Sequence, residues 1–257
     1  MKFYDLRINP EKLDEDNVES FLDTLKHLGF HGVSIYNPNN RHGELLKLFK
    51  KKSEEREIDY VRRLDIIPKT KGELNKWLAK NRYKFEIIAV NPKNLEVARR
   101  AAEDERVDII YFDDFEGLFD YIQARIMSRK EKVLEICVKK LLSSVHRPPA
   151  LYKYYKILSI AGMYKLKIVA VSGATTLYDL RSPRDLCSTL NILGHKDDNY
   201  SCVRKIPSEI IEENRFKLSK TFVLPGVIIE GKEDTKKIPS LQDNWPLLDK
   251  GKNRKNT

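Results

Sequence analysis

Cysteine is scarce in this 257-residue chain. The three present, Cys137, Cys187 and Cys202, are odd in number and show no C-x-x-C spacing. That argues against a disulfide framework or a zinc site and fits a reducing, cytoplasmic setting. Histidine is equally thin. His27, His31, His42, His146 and His195 are scattered, with no H-x-H and no H-E-x-x-H, so the usual ligand spacings of a catalytic metal centre are missing. No apolar run approaches the roughly 18 residues of a membrane span. Lys2, Asp5, Arg7, Glu11 and Asp14 break every early apolar run, so no signal peptide is expected. The last absence is local: between Glu135 and Asp179 there is no acidic residue at all.

That gap concentrates the net charge of +10. Residues 1–135 are balanced at 26 Lys/Arg and 26 Asp/Glu, whereas residues 136–208 hold 12 against 4. An ordinary solvated surface mixes both signs, and one-sided charge points to a polyanion such as nucleic acid. Tyr152, Tyr154, Tyr155 and Tyr164 interleave with Lys153, Lys156, Lys165 and Lys167 in the same span. Lysine and arginine neutralise phosphates, and tyrosine stacks on unpaired bases. One or two of these tyrosines, Tyr155 among them, are expected on the core face of their helix.

Short apolar runs alternate with helical patterns. Phe3–Leu6, Val33–Tyr36, Tyr60–Ile66, Ile87–Val90, Ile109–Phe112, Leu134–Val138 and Ile168–Val171 read as strands. Helices fall between them, the fourth capped by Asn94 and the sixth started by Pro148-Pro149. Seven β-then-α units predict an α/β fold with a parallel sheet, closed as a TIM-like barrel with an irregular end. Residues 1–230 would form one domain and the polar stretch 231–257 a flexible tail. Val223–Ile229, broken by Pro225-Gly226, is expected to be an edge strand or strap.

The most informative stretch runs from Ile168 to His195. A strand ends at Ser172-Gly173-Ala174, and a helix opens at Ser182-Pro183-Arg184-Asp185. Ser182 suits the N-cap, Pro183 the first helical position, and Asp185 the third, from which it reaches back to the cap. Leu186, Leu190 and Leu193 give that helix an apolar face and Gly194 stops it. Ser172-Gly173 reads either as a phosphate cradle or as a tight turn. Asp5, Asp113 and His146 fall at strand ends, where a stand-alone barrel phosphoesterase would carry its chemistry.

The strand ending in Ser172-Gly173-Ala174, then Leu180-Arg181-Ser182-Pro183-Arg184-Asp185 and a helix closing in Leu193-Gly194, resembles the ribonuclease P protein component 3 family. These are archaeal relatives of the thirty-kilodalton subunit of the eukaryotic enzyme. The resemblance runs from Phe3 to about Glu213. It implies a barrel related to the polymerase-and-histidinol-phosphatase superfamily without its metal ligands, with Tyr4-Asp5-Leu6 standing where such enzymes place H-x-H. It also implies a subunit of the RNA–protein endonuclease that removes the 5′ leader of precursor tRNA. Catalysis would belong to the RNA and its Mg2+ ions, with no catalytic residue and no metal in this chain. The protein would brace ribonuclease P RNA beside a second subunit, component 2. Arg147, Lys153, Lys156, Arg181, Arg184, Lys196, Arg204 and Lys205 are the candidate RNA contacts. Ser172, Gly173, Ser182, Pro183 and Asp185 are the candidate structural residues.

Overall fold

The computed structural model describes residues 2–219 apart from Pro10, 12–16, His42, Asp114, Glu116, Val145 and Asp198, together with the backbone of 222–224 and 227–228. The stretch 231–257, expected as a tail, lies outside the described residues. Met1–Ile211 form one compact unit and Glu212–Thr257 a second.

The first unit alternates strand and helix. The strands are β1 (Tyr4–Ile8), β2 (Gly32–Ile35), β3 (Asp59–Tyr60), β4 (Arg63–Ile66), β5 (Ile87–Val90), β6 (Ile109–Ile110), β7 (Val133–Cys137) and β8 (Lys167–Val171). The helices are α1 (Val18–His27), α2 (Gly43–Glu55), α3 (Lys71–Asn81), α4 (Leu95–Glu103), α5 (Tyr121–Arg129), α6 (Val138–Leu142), α7 (Arg147–Met163), α8 (Pro183–Ile192) and α9 (Lys205–Lys217). Beyond them Phe222–Leu224 and Val227–Ile228 pair antiparallel, flanking the Pro-Gly break.

All pairing among β1–β8 is parallel, in two sheets ordered β1-β2-β3 and β4-β5-β6-β7-β8. The expected single strand over Tyr60–Ile66 is two strands, because the chain changes partner between them: the Val61 amide donates to Val33 of β2 at 2.9 Å, and the Arg62 carbonyl accepts from Ile87 of β5 at 3.0 Å. At that seam the sheets meet through one bridge, Pro38 with Asp65. At the other seam the Gly173 amide donates to the Arg7 carbonyl at 3.0 Å and the Asn9 amide to Ala174 at 2.8 Å. Lower down, Cys202 and Val203 lie between β8 and β1, accepting from Ala170 at 3.1 Å and Tyr4 at 2.9 Å. No continuous strand ladder therefore joins the two sheets among the described residues.

The period-2 alternation of the strands sorts their side chains into two apolar clusters. Leu64, Ile66, Ile88, Val90, Leu134, Ile136, Ile168 and Ala170 pack with the helices. Tyr4, Leu6, Ile87, Ala89, Tyr111, Val133, Val169 and Val171 form a separate cluster on the opposite face. The helices begin where the sequence places their caps: the side chains of Thr70, Asn94, Asp120 and Ser182 accept from backbone amides three residues on. Leu118 and Phe119 precede α5, since Asp120 is its cap. Val138, read as strand, opens α6 instead. Tyr154 turns into the core of α7, and Tyr155, expected inside, is 51% exposed. The run Lys153–Lys156 changes face within one helical turn, so only one of two adjacent tyrosines can point inward.

Gly173 is the tightest point of the strand-to-loop turn. Its φ is +66°, and an added Cβ would lie 2.2 Å from Cys137 Sγ. Both the left-handed backbone and the overlap oppose a side chain. Gly173→Ala is expected to destabilise the protein by about 2–4 kcal/mol in denaturant unfolding. Adding Cys137→Ala should recover the packing part and leave the backbone part.

Candidate nucleic-acid interface and the ion network beneath it

Three strands bring four charged side chains together inside the strand layer. Arg63 on β4 grips Asp65 on the same strand, with Nη2 at 2.6 Å from Oδ1 and Nε at 3.1 Å from Oδ2. Its Nη1 donates to Glu135 on β7 at 2.5 Å and to the Leu6 carbonyl at 2.8 Å. Arg7 on β1 donates to the other Glu135 oxygen at 3.0 Å. All four are buried. The Arg7 guanidinium lies between two rings, 4.5 Å from the centroid of Tyr36 and 4.2 Å from that of Tyr111. Burial alone would raise the Glu135 carboxyl, but Arg63 and Arg7 overcome it and hold the group below its ordinary range.

Asp5 sits beside this network without a cation of its own. One oxygen accepts from the amides of Arg7 (3.3 Å) and Ser172 (3.2 Å), and the other has no partner. Burial pushes its pKa up to about 6 against those hydrogen bonds. Neither Asp113 nor His146 joins it. Asp113 is exposed and paired with Lys93 and Lys140, and His146 is exposed. The only metal-sized group of acids, cysteines and histidines among the described residues is Cys187, Asp197 and Cys202. Sequence spacing hid this pair of cysteines; the turn after α8 brings them side by side, Sγ to Sγ 2.8 Å. Asp197 is already committed there, accepting amides from Asn199, Ser201 and Cys202.

The loop after β8 decides between cradle and turn. The Ser172 amide goes to Asp5, the Gly173 amide to Arg7, and the Ala174 amide to the Ser172 hydroxyl at 3.1 Å. The next two amides, of Thr175 and Thr176, both donate to Asp179, which also accepts both threonine hydroxyls and Lys139 at 2.7 Å. An internal carboxylate thus fills the amide nest that a phosphate would need. The amides of this loop are satisfied within the chain, which favours a tight turn over a phosphate cradle. Ser182 and Asp185 form a reciprocal capping box at the start of α8, and Pro183 is buried at its first position.

The eight candidate contacts do not form one patch. Arg184 is exposed in the first turn of α8, at the strands' C-terminal end. Lys153 and Lys156 lie near the middle of α7; Lys156 is exposed with its ammonium 5.7 Å from the Tyr152 ring. Arg147 begins α7, and its side chain is not among those described. Arg181 is half-buried and spends its guanidinium on the carbonyls of Tyr178 and Leu180, both at 2.7 Å, rather than on Asp179 or Asp185. Lys196, Arg204 and Lys205 sit at the far end of the strands, past the C-terminus of α8. There Arg204 faces the Phe3 ring at 6.0 Å and Lys205 pairs with Glu209 at 3.8 Å. The buried network itself escaped the sequence reading. Its only signal was charge at alternate positions of otherwise apolar strands, in Arg63-Leu64-Asp65 and Val133-Leu134-Glu135.

By fold and site this is a parallel α/β protein with an ion-paired interior and cations exposed along α7 and α8. The RNase P subunit p30 family matches residues 2–219, so the chain belongs to that family and is a ribonuclease P protein subunit. Ribonuclease P protein component 3 of Methanococcoides burtonii is 25% identical over 88% of this chain and 93% of its own. The protein of the same name from a Methanococcus maripaludis strain is 29% identical over 80% of this chain and 91% of its own. A chain from the cryo-EM structure of archaeal ribonuclease P with mature tRNA shares the fold with a TM-score of 0.77, at 21% identity over 90% of this chain and 99% of that one.

Asp5 gives a pH signature. Its folded pKa, about 6, lies above the ordinary 3.8, so the folded state holds the proton more tightly. The stability this gives is complete below about pH 4 and is lost as pH rises through 6, a change of about 3 kcal/mol. Glu135, shifted the other way, loses its contribution only at lower pH. His195, lowered by burial, acts oppositely to Asp5 within the same window, so the comparison must be with a variant that keeps it. Asp5→Asn should therefore gain stability relative to the parent by about 3 kcal/mol between pH 4 and pH 7. Denaturant unfolding of both proteins across that range checks it, and parallel curves would show that Asp5 is ionised throughout.

Proposed function

We propose that this subunit binds ribonuclease P RNA and braces its catalytic domain beside component 2, in the enzyme that removes the 5′ leader of precursor tRNA. The observation that carries this reading is the cation-rich, acid-free segment from α6 to β8. It continues to Arg184, which stands exposed at a helix N-terminus where amides and dipole favour a phosphate. Arginine adds a planar fork for phosphate oxygens. The catalytic centre is RNA with Mg2+, and the compartment is the cytoplasm. The barrel belongs to the same reading: the interior cluster and the hydrogen bonds at both seams favour the two sheets curling into one TIM-like barrel, related to the polymerase-and-histidinol-phosphatase barrel. Residues 1–230 would be its domain. Arg7 and Arg63 inside would repel a divalent cation, which opposes a phosphoesterase centre at that position.

Reconstitution tests the reading. The protein alone should leave precursor tRNA intact, while adding it with component 2 to ribonuclease P RNA should raise specific 5′ cleavage. Cleavage by RNA-free protein, or a complex indifferent to its presence, would overturn it.

The two loop arginines should separate in a salt series. Arg184→Ala should weaken RNA binding and flatten the slope of log affinity against log salt by about 0.7–0.9, with an unchanged melt. Arg181→Ala should lower the melting temperature, because the carbonyls of Tyr178 and Leu180 lose their donor. An unchanged slope for Arg184→Ala would remove that residue from the interface.

A further inference from the structure

A groove of about 440 Å³ opens between the N-terminus of α5 and the outer face of α7. That is the size of pockets that take small organic groups. Its base is apolar and braced. Phe115 and Phe119 stand edge to face at 6.1 Å, and Phe115 meets Tyr154 at 5.7 Å. Its rim is aromatic and cationic. Tyr121 and Tyr152 are 54% and 63% exposed, and Lys153 and Lys156 line the same groove. Among the described residues, the acid that reaches it is Asp120. Its carboxylate is held by Arg99 at 2.7 and 2.8 Å and by the Gln123 amide at 2.7 Å, so its charge is compensated.

We propose that this groove seats an unpaired nucleobase of RNA, stacked on Tyr152 or Tyr121, with Lys153 and Lys156 on the flanking phosphates. The inference rests on the RNA-binding reading above and adds where a single-stranded nucleotide enters. An exposed ring beside a lysine offers a base a face and its phosphate a counter-charge, the pairing that single-strand binders use. A duplex keeps its bases stacked on one another and cannot use such a platform. A docking protein helix would meet two lysines at the rim of a short apolar floor, which favours an anionic ligand with one flat apolar part over an apolar partner.

The test uses the full chain and two probes, a short single-stranded oligoadenylate and an RNA hairpin stem of equal length. Oligoadenylate should bind more tightly than the stem and cross-link under ultraviolet light to the peptides holding Tyr121 or Tyr152. Tyr152→Ala should weaken oligoadenylate binding by about five- to a hundred-fold with an unchanged salt slope. Tyr152→Phe should restore it, because stacking needs the ring and not the hydroxyl. Lys153→Ala with Lys156→Ala should flatten the slope instead. The proposal fails if Tyr121→Ala and Tyr152→Ala both leave the affinity unchanged, if the stem binds as well as the single strand, or if component 2 without RNA already shields both tyrosines. Retained binding of ribonuclease P RNA alongside any of these results sinks the groove and spares the RNA-binding reading; loss of all RNA binding by the parent protein sinks that reading itself.

Discussion

Glu135 holds Arg7 on one side and Arg63 on the other, and that double ion pair ties strands from both sheets to one point. Arg7 belongs to the sheet β1-β2-β3, while Arg63 and Glu135 belong to the five-stranded sheet. Buried ion pairs are poor sources of net stability because both charges lose their hydration. They are strong sources of discrimination. A one-residue slip of β7 would turn Glu135 toward the helices, leaving Arg7 without a counter-charge and Arg63 with Asp65 alone. Breaking such a pair from one side costs about 3–5 kcal/mol, so the register of three strands is fixed by a single carboxylate.

The network is also balanced. Arg7 and Arg63 face Asp65 and Glu135, two charges of each sign, and Asp5 is the fifth member. Burial raises its pKa to about 6, which lets it shed its charge more readily than any ordinary aspartate would. Rings of Tyr36 and Tyr111 cover Arg7 where another carboxylate would otherwise be needed. The interior thereby holds two buried cations beside their counter-charges.

Much of the frame was legible because short-range physics dictates it. Ser182-Pro183-Arg184-Asp185 declares a helix start through cap, fixed φ and reciprocal hydrogen bonds, all within four residues. Asn94 does the same for α4. What was illegible depends on partners far along the chain. No pattern near Glu135 tells that its partners lie 72 and 128 residues away. Cys187 and Cys202 meet only because the turn after α8 folds back on Asp197. The assignment of Val138 to a strand failed because a continuous apolar run reads alike as strand or as helix start, and Gly173 opposite Cys137 leaves room only for the chain to turn there. The division of the candidate cations between the two ends of the strands was illegible for another reason. A charge map along the sequence carries no information about which end of a helix each residue occupies.

That last point bears on how the surface attracts a polyanion. Several rim lysines already own a carboxylate: Lys93 and Lys140 share Asp113, and Lys139 holds Asp179. The two arrangements differ in how easily a phosphate could replace the acid. Asp113 is exposed and held by Lys93, Lys140 and Asn91, which keep its carboxyl well below the usual range, but fewer groups hold it than hold Asp179. Asp179 accepts from two amides and two hydroxyls as well as from Lys139, and an incoming phosphate would have to displace all of them. Lys139 is therefore part of the scaffold, fixed by the loop it stabilises. Lys156 on α7 and Arg184 on α8 are cations that the helices carry outward, both exposed. A formal charge counted along the chain overstates the attraction a polyanion would feel, because the buried and internally paired cations hold the fold.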